Sequence, residues 1–116
     1  MAKHILSVSY DESLLLTRQM LLRQPGYEVR SALSLTEALE SCKKNKFDLI
    51  LMCHSIPRKD KQAFMKEAKK ASTARILSIL HAAFAPLAEA DYSVRSADGP
   101  AALVAAVGIA LGQDSA

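Results

Sequence analysis

The chain has 116 residues, half of them hydrophobic and 5% aromatic, which suits one domain with an aliphatic core and leaves little room for a second. Its net charge of +3 is too mild to argue for nucleic acid, and no apolar run reaches the roughly 18 residues that cross a membrane. The start, MAKHILSV, lacks the apolar stretch of a signal peptide, and Cys42 and Cys53 sit in no disulfide framework, so reduced thiols and a cytoplasmic location are expected.

Short apolar runs alternate with helical patterns along the chain. His4 to Val8 reads as a buried strand. Asp11 is a candidate cap for a helix that runs to Arg23 and is stopped by Pro25-Gly26. Tyr27 to Ala32 reads as a second strand. Ser34-Leu35-Thr36-Glu37 forms a capping box, and the helix it opens ends near Lys44 among lysines that suit its negative end. Phe47 to Cys53 is apolar on both faces, as expected of a central strand in a parallel sheet covered by helices. After a loop with Pro57, a helix is predicted from Lys59 to Ala71. Arg75 to Leu80 and Asp91 to Arg95 supply the fourth and fifth strands. A last helix starts at Asp98 and Pro100 and ends at Gly112, with Gln113 to Ala116 as a frayed tail. This alternation predicts an α/β fold built from right-handed βαβ units.

From about Lys3 to Leu111 the order of elements and the local phrases resemble the receiver domains of response regulators. The phrases are ILSVSYDESLLLTRQMLLRQPGYEV, SLTEALESCKKNKFDLILMCHSIPRKD and ADYSVRS, of which FDLILMCHSIP is the most specific. The resemblance implies a single flavodoxin-like domain over residues 1–116, with strand order 2-1-3-4-5 and a site at the carboxyl ends of the strands. Receivers hold Mg²⁺ with two acidic residues after the first strand and an aspartate ending the third, which takes the phosphoryl group. A Ser or Thr after the fourth strand and a lysine after the fifth complete the site.

Carried over residue by residue, nearly all of this chemistry is changed. The acidic pair falls on Ser9 and Tyr10, the phosphoryl acceptor on Cys53, the hydroxyl residue on His81 and the lysine on Arg95. Pro57 is kept. Asp11 and Glu12 stand near the metal position but read as helix-start residues. A single leftover carboxylate cannot draw Mg²⁺ from its water shell, and a thiol does not recruit so hard an ion. Loss of Mg²⁺ binding and of phosphotransfer is therefore expected, with no cofactor and no enzymatic activity.

Cys53 and His81 are expected to share a pocket, where a thiol beside an imidazole could become a redox- or phospho-responsive switch; the plain reading is a small apolar residue replacing a lost acid. His4, His54, His81 and Cys53 match no metal spacing. Loss of the acids with retention of Arg95 leaves a neutral to positive pocket, where Ser9 and backbone donors could hold an anion unless the Tyr10 ring fills it. Arg58, Lys59, Lys61, Lys66, Lys69 and Lys70 read as a solvated helix face interspersed with Asp60 and Glu67. No stacking aromatics accompany them, so nucleic-acid binding is not expected.

Two features point instead to a protein partner. Only Ala83 to Glu89 lie between the fourth and fifth strands, so the family's fourth helix should be short or missing. The last helix carries no charge from Pro100 to Leu111, and an apolar helix is either covered or exposes a patch that marks an interface. The expected interface comprises Leu103, Val104, Val107 and Leu111 with Phe84 and Leu87 nearby, and a symmetric homodimer is its simplest form.

Overall fold

The computed structural model describes residues 2–81 and 84–112. Ala83 and the tail Gln113 to Ala116 lie outside the described residues. Nine regular elements follow in chain order: β1 (His4–Val8), α1 (Glu12–Arg23), β2 (Glu28–Ala32), α2 (Leu35–Lys44), β3 (Leu49–Met52), α3 (Arg58–Ala71), β4 (Arg75–Leu80), β5 (Tyr92–Arg95) and, after one 3₁₀ turn, α4 (Gly99–Ala110). The strands form one parallel sheet in the order β2-β1-β3-β4-β5. The elements follow the order read from the sequence; β1 and β4 have the expected bounds, β2 and β5 each start one residue later, and β3 is shorter by two residues at its start and one at its end.

The pleat of β3 explains its uniform apolarity. Leu49 and Leu51 point to the face covered by α1 and α4, and Ile50 and Met52 to the face covered by α2 and α3. All four are buried, as alternating side chains must be when helices cover both sides of a sheet. Aspartates organise the strand starts. Asp48 accepts the His4 N–H at 2.8 Å, and Asp91 accepts the Ile76 N–H at 2.8 Å.

The helix ends largely follow their sequence signals. Asp11 caps α1 by accepting the Leu14 N–H at 3.2 Å, and Ser34 caps α2 by accepting the Glu37 N–H at 3.1 Å. Ser34→Ala should therefore cost about 1 kcal/mol, read as a lower urea midpoint with an unchanged slope. Asp98 departs from expectation and makes no side-chain cap for α4, because a 3₁₀ turn over Ser96–Asp98 precedes the helix. At its other end α4 is tied to the sheet. The Arg75 guanidinium donates to the Ala110 carbonyl at 2.8 Å, placing a cation at the negative helix terminus. Gly112, at φ +70°, turns the chain away in a left-handed conformation that costs a residue without Cβ little.

Among the described residues, 84–91 form no helix, so the predicted loss of the fourth helix stands. Leu87 plugs the core in its place, and the Arg58 guanidinium holds the segment against α3 by donating to the Ala85 carbonyl at 2.8 Å. No helix among the described residues is long and apolar enough to cross a membrane.

Candidate functional site

The carboxyl ends of β1 and β3 bring Ser9 and Cys53 together, both wholly buried. Ser9 follows β1, where its N–H continues the ladder to the Ala32 carbonyl at 3.1 Å. Its Oγ accepts the Asp11 N–H at 2.9 Å and shares a hydrogen bond with Ser55 Oγ at 3.1 Å. Ser55 Oγ also accepts the Tyr10 N–H at 3.3 Å, while the Ser55 N–H points at Cys53 Sγ, 3.4 Å away. Two neutral hydroxyls and a thiol therefore satisfy one another where a cluster of carboxylates would hold a metal. Asp11 spends its carboxylate on the cap of α1, and Tyr10 lies largely outside, its hydroxyl donating to Asp60 on α3 at 3.3 Å. The Tyr10 ring straps the site and does not fill it.

Two basic side chains complete the surroundings, and neither was foreseen as part of the site. Arg18 and Lys61 are 6% and 3% exposed, values rare for charged residues without full pairing. Lys61 Nζ donates to the Ile79 carbonyl on β4 at 2.7 Å. Burial pulls its ammonium down to about 8, against an attraction from Cys53 and with repulsion from Arg58 and Arg18. At Cys53 burial acts upward on the thiol, but hydrogen bonds from Ser55, Ser9 and Arg18 outweigh it and hold the thiol below its ordinary value. The site is a buried thiol flanked by two cations.

The helical spacing held the signal for both cations. Arg18 lies three residues after Leu15 and four before Leu22, and Lys61 three before Phe64 and four before Met65; each sits on its helix's buried stripe. Reading Lys61 as part of a solvated face was therefore wrong. Of the other basic residues of that group, Lys69 and Lys70 gather with Lys43, Lys44 and Lys46 around an open cleft of about 390 Å³ at the ends of α2 and α3, where cations suit helix C-termini.

His81 does not join Cys53 as expected. It is exposed, and its ring meets His54 edge-on at 4.7 Å and Phe84 at 6.1 Å. His54 follows Cys53 in sequence but turns the other way. Burial first, then Arg18 and His81, make its imidazole harder to protonate. Arg95 ends β5 and is exposed. Among the described residues, no three of His, Cys, Asp and Glu converge as metal ligands. The donors that are present, a thiol and hydroxyls beside a guanidinium and an ammonium, do not fit Mg²⁺, which seeks oxygen anions.

The expected interface also needs correction. Leu103, Val107 and Leu111 are buried against Leu77 and Ile79 of the sheet, and Leu87 is buried in the opposite core. Val104 is half-buried on the same side. The residues α4 exposes are Pro100, Ala101, Ala105 and Ile109, the last 52% exposed; Phe84, at 51%, alone keeps the position foreseen for it.

A five-stranded parallel sheet ordered 2-1-3-4-5 between helices is the CheY-like fold of response regulator receivers. Solved structures share it over nearly the whole chain. A CheY-like receiver domain from Methanospirillum hungatei is 22% identical with a TM-score of 0.84, covering 97% of this chain and 96% of its own. The chemotaxis protein CheY4 of Vibrio cholerae is 21% identical with a TM-score of 0.82, covering 96% and 100%. The N-terminal domain of a response regulator/sensory box/GGDEF protein from Carboxydothermus hydrogenoformans is 24% identical with a TM-score of 0.82, covering 96% and 95%. At such identities the likeness is one of fold. No protein-family model and no curated protein matches the sequence.

Proposed function

We propose that this chain is a signalling module of two-component type that has kept the receiver fold, dropped Mg²⁺-dependent aspartyl phosphorylation, and acts by binding a protein. The carrying observation is the replacement of the carboxylate cluster by Ser9, Ser55 and Cys53 with Arg18 and Lys61 buried beside them. A divalent cation placed there meets two positive charges at low dielectric and no free carboxylate. Among the described residues no hydrogen-bonded pair joins a nucleophile to a general base, and the module is read as a binder and not an enzyme. Its simplest partner is a second copy, through the apolar strip of α4 around Ile109 and the Leu16 and Met20 side chains that neighbouring α1 exposes.

Incubation with Mg²⁺ and acetyl phosphate should leave the intact mass unchanged. A stoichiometric phosphoryl adduct on any residue would defeat the proposal.

The lowered thiol of Cys53 favours a second reading as an oxidation-responsive switch, with Ser9, Ser55 and Arg18 in the place foreseen for His81. Complete burial of the sulfur works against it. Mild peroxide should therefore leave Cys53 unoxidised in the folded protein, and rapid gain of one oxygen there would favour the switch.

A further inference from the structure

We propose that the cavity between α1 and α4 binds a small organic monocarboxylate. The cavity holds about 170 Å³ and no acidic residue lines it. Leu14, Leu21, Val94 and Leu103 make most of its wall apolar, and Arg18, His54 and Arg95 gather at it as polar groups.

Two of those groups carry buried polar atoms with no hydrogen-bond partner, Arg18 Nη1 and His54 Nδ1. A buried polar atom left unpaired is costly, and here two such atoms belong to residues that line one cavity. An oxygen anion supplies the missing acceptor for Arg18, and a bond made there at low dielectric is stronger than one at the surface. Gly99 and Pro100, at the start of α4, also line the cavity.

Size and polarity narrow the ligand. Apolar cavities of about 150 Å³ accept a benzene ring, so this one suits a ring-sized body with a single anionic group. A bare phosphate would leave the apolar wall unused. The inference does not depend on how the protein-binding surface is used.

The test is a ¹⁵N-resolved NMR titration of the protein with sodium benzoate, benzamide and inorganic phosphate, repeated on Arg18→Met. Benzoate should give saturable shifts confined to residues 14–21, 54 and 94–103, with a Kd on the order of 1 mM or tighter. Benzamide, and benzoate on Arg18→Met, should bind at least about tenfold more weakly, the expected loss of one charge-assisted hydrogen bond. Should Arg18→Met not fold, the comparison of benzoate with benzamide on the unaltered protein decides alone. Absence of saturable benzoate shifts, benzamide binding as tightly, or phosphate binding as tightly would each overturn the proposal.

Discussion

Lys61→Met is expected to stabilise the fold at pH 7 by roughly 1–3 kcal/mol, against the usual sense of a mutation at a fully buried site. The ammonium of Lys61 is withdrawn from water on the inner stripe of α3, where it donates to the Ile79 carbonyl. Methionine keeps the length and packing of the side chain and removes the charge. The unaltered protein should show the same cost in its pH dependence. Lys61 titrates at about 8 when folded and at 10.5 when unfolded. Between those values the unfolded chain binds the extra proton, so stability rises with pH, by on the order of 3 kcal/mol across the window.

Cys53 acts in the same direction. Its folded thiol lies below its ordinary value of 9.0, so the stability it contributes is present above pH 9 and fades as pH falls through the folded value. Cys42, raised by its own burial, opposes them: its contribution is present below pH 9 and is lost as pH climbs through its folded value. Urea midpoints from pH 7 to about pH 9 should therefore climb for the unaltered protein and climb much less for Lys61→Met. A variant several kcal/mol less stable, on a background whose stability falls through pH 8, would show that Lys61 is paired and not merely buried.

The last helix provides the second large effect. Leu103→Ala should cost about 3 kcal/mol, because Leu103 is 8% exposed and packs in the core formed by Leu77, Ile79 and Val107. Ile109→Lys, on the open side of the same helix, should change monomer stability by less than about 0.5 kcal/mol while weakening any self-association measured by sedimentation. Thermal unfolding separates the two. Equal damage from both would mean that α4 is covered all round.

The fold was legible because its signals are local and redundant. Two-faced apolarity in Leu49–Met52, the caps at Asp11 and Ser34, and the short Ala83-to-Glu89 connection each point to one arrangement. The site was legible only at its strand ends. Position after β1 and β3 placed Ser9 and Cys53 together, since parallel strands in register align their carboxyl termini. What contributes from helices was missed. Lys61 was read with a solvated face because charged side chains on helices usually face water, and Arg18 was not singled out, although their spacing from Leu15, Leu22, Phe64 and Met65 puts both on the buried stripe.

The inward and outward sides of the last helix were not told apart for a related reason. A helix without charges gives no contrast between its faces, so composition alone could not say that Leu103 and Val107 point inward and Ile109 outward. Likewise, the edge-on meeting of His81 with His54 does not follow from strand-end positions.

The most direct test of the central claim is NMR of the protein titrated with Mg²⁺ and then with Mg²⁺ plus beryllofluoride, which mimics a phosphoryl group on a receiver aspartate. The arrangement of Arg18 and Lys61 around Cys53 predicts no saturable shifts at Ser9, Asp11, Cys53 or Ser55 with either addition. Saturable shifts there with Mg²⁺, enlarged by beryllofluoride, would mean that Asp11 or Glu12 rebuilds the metal site and that the chain works by phosphorylation after all.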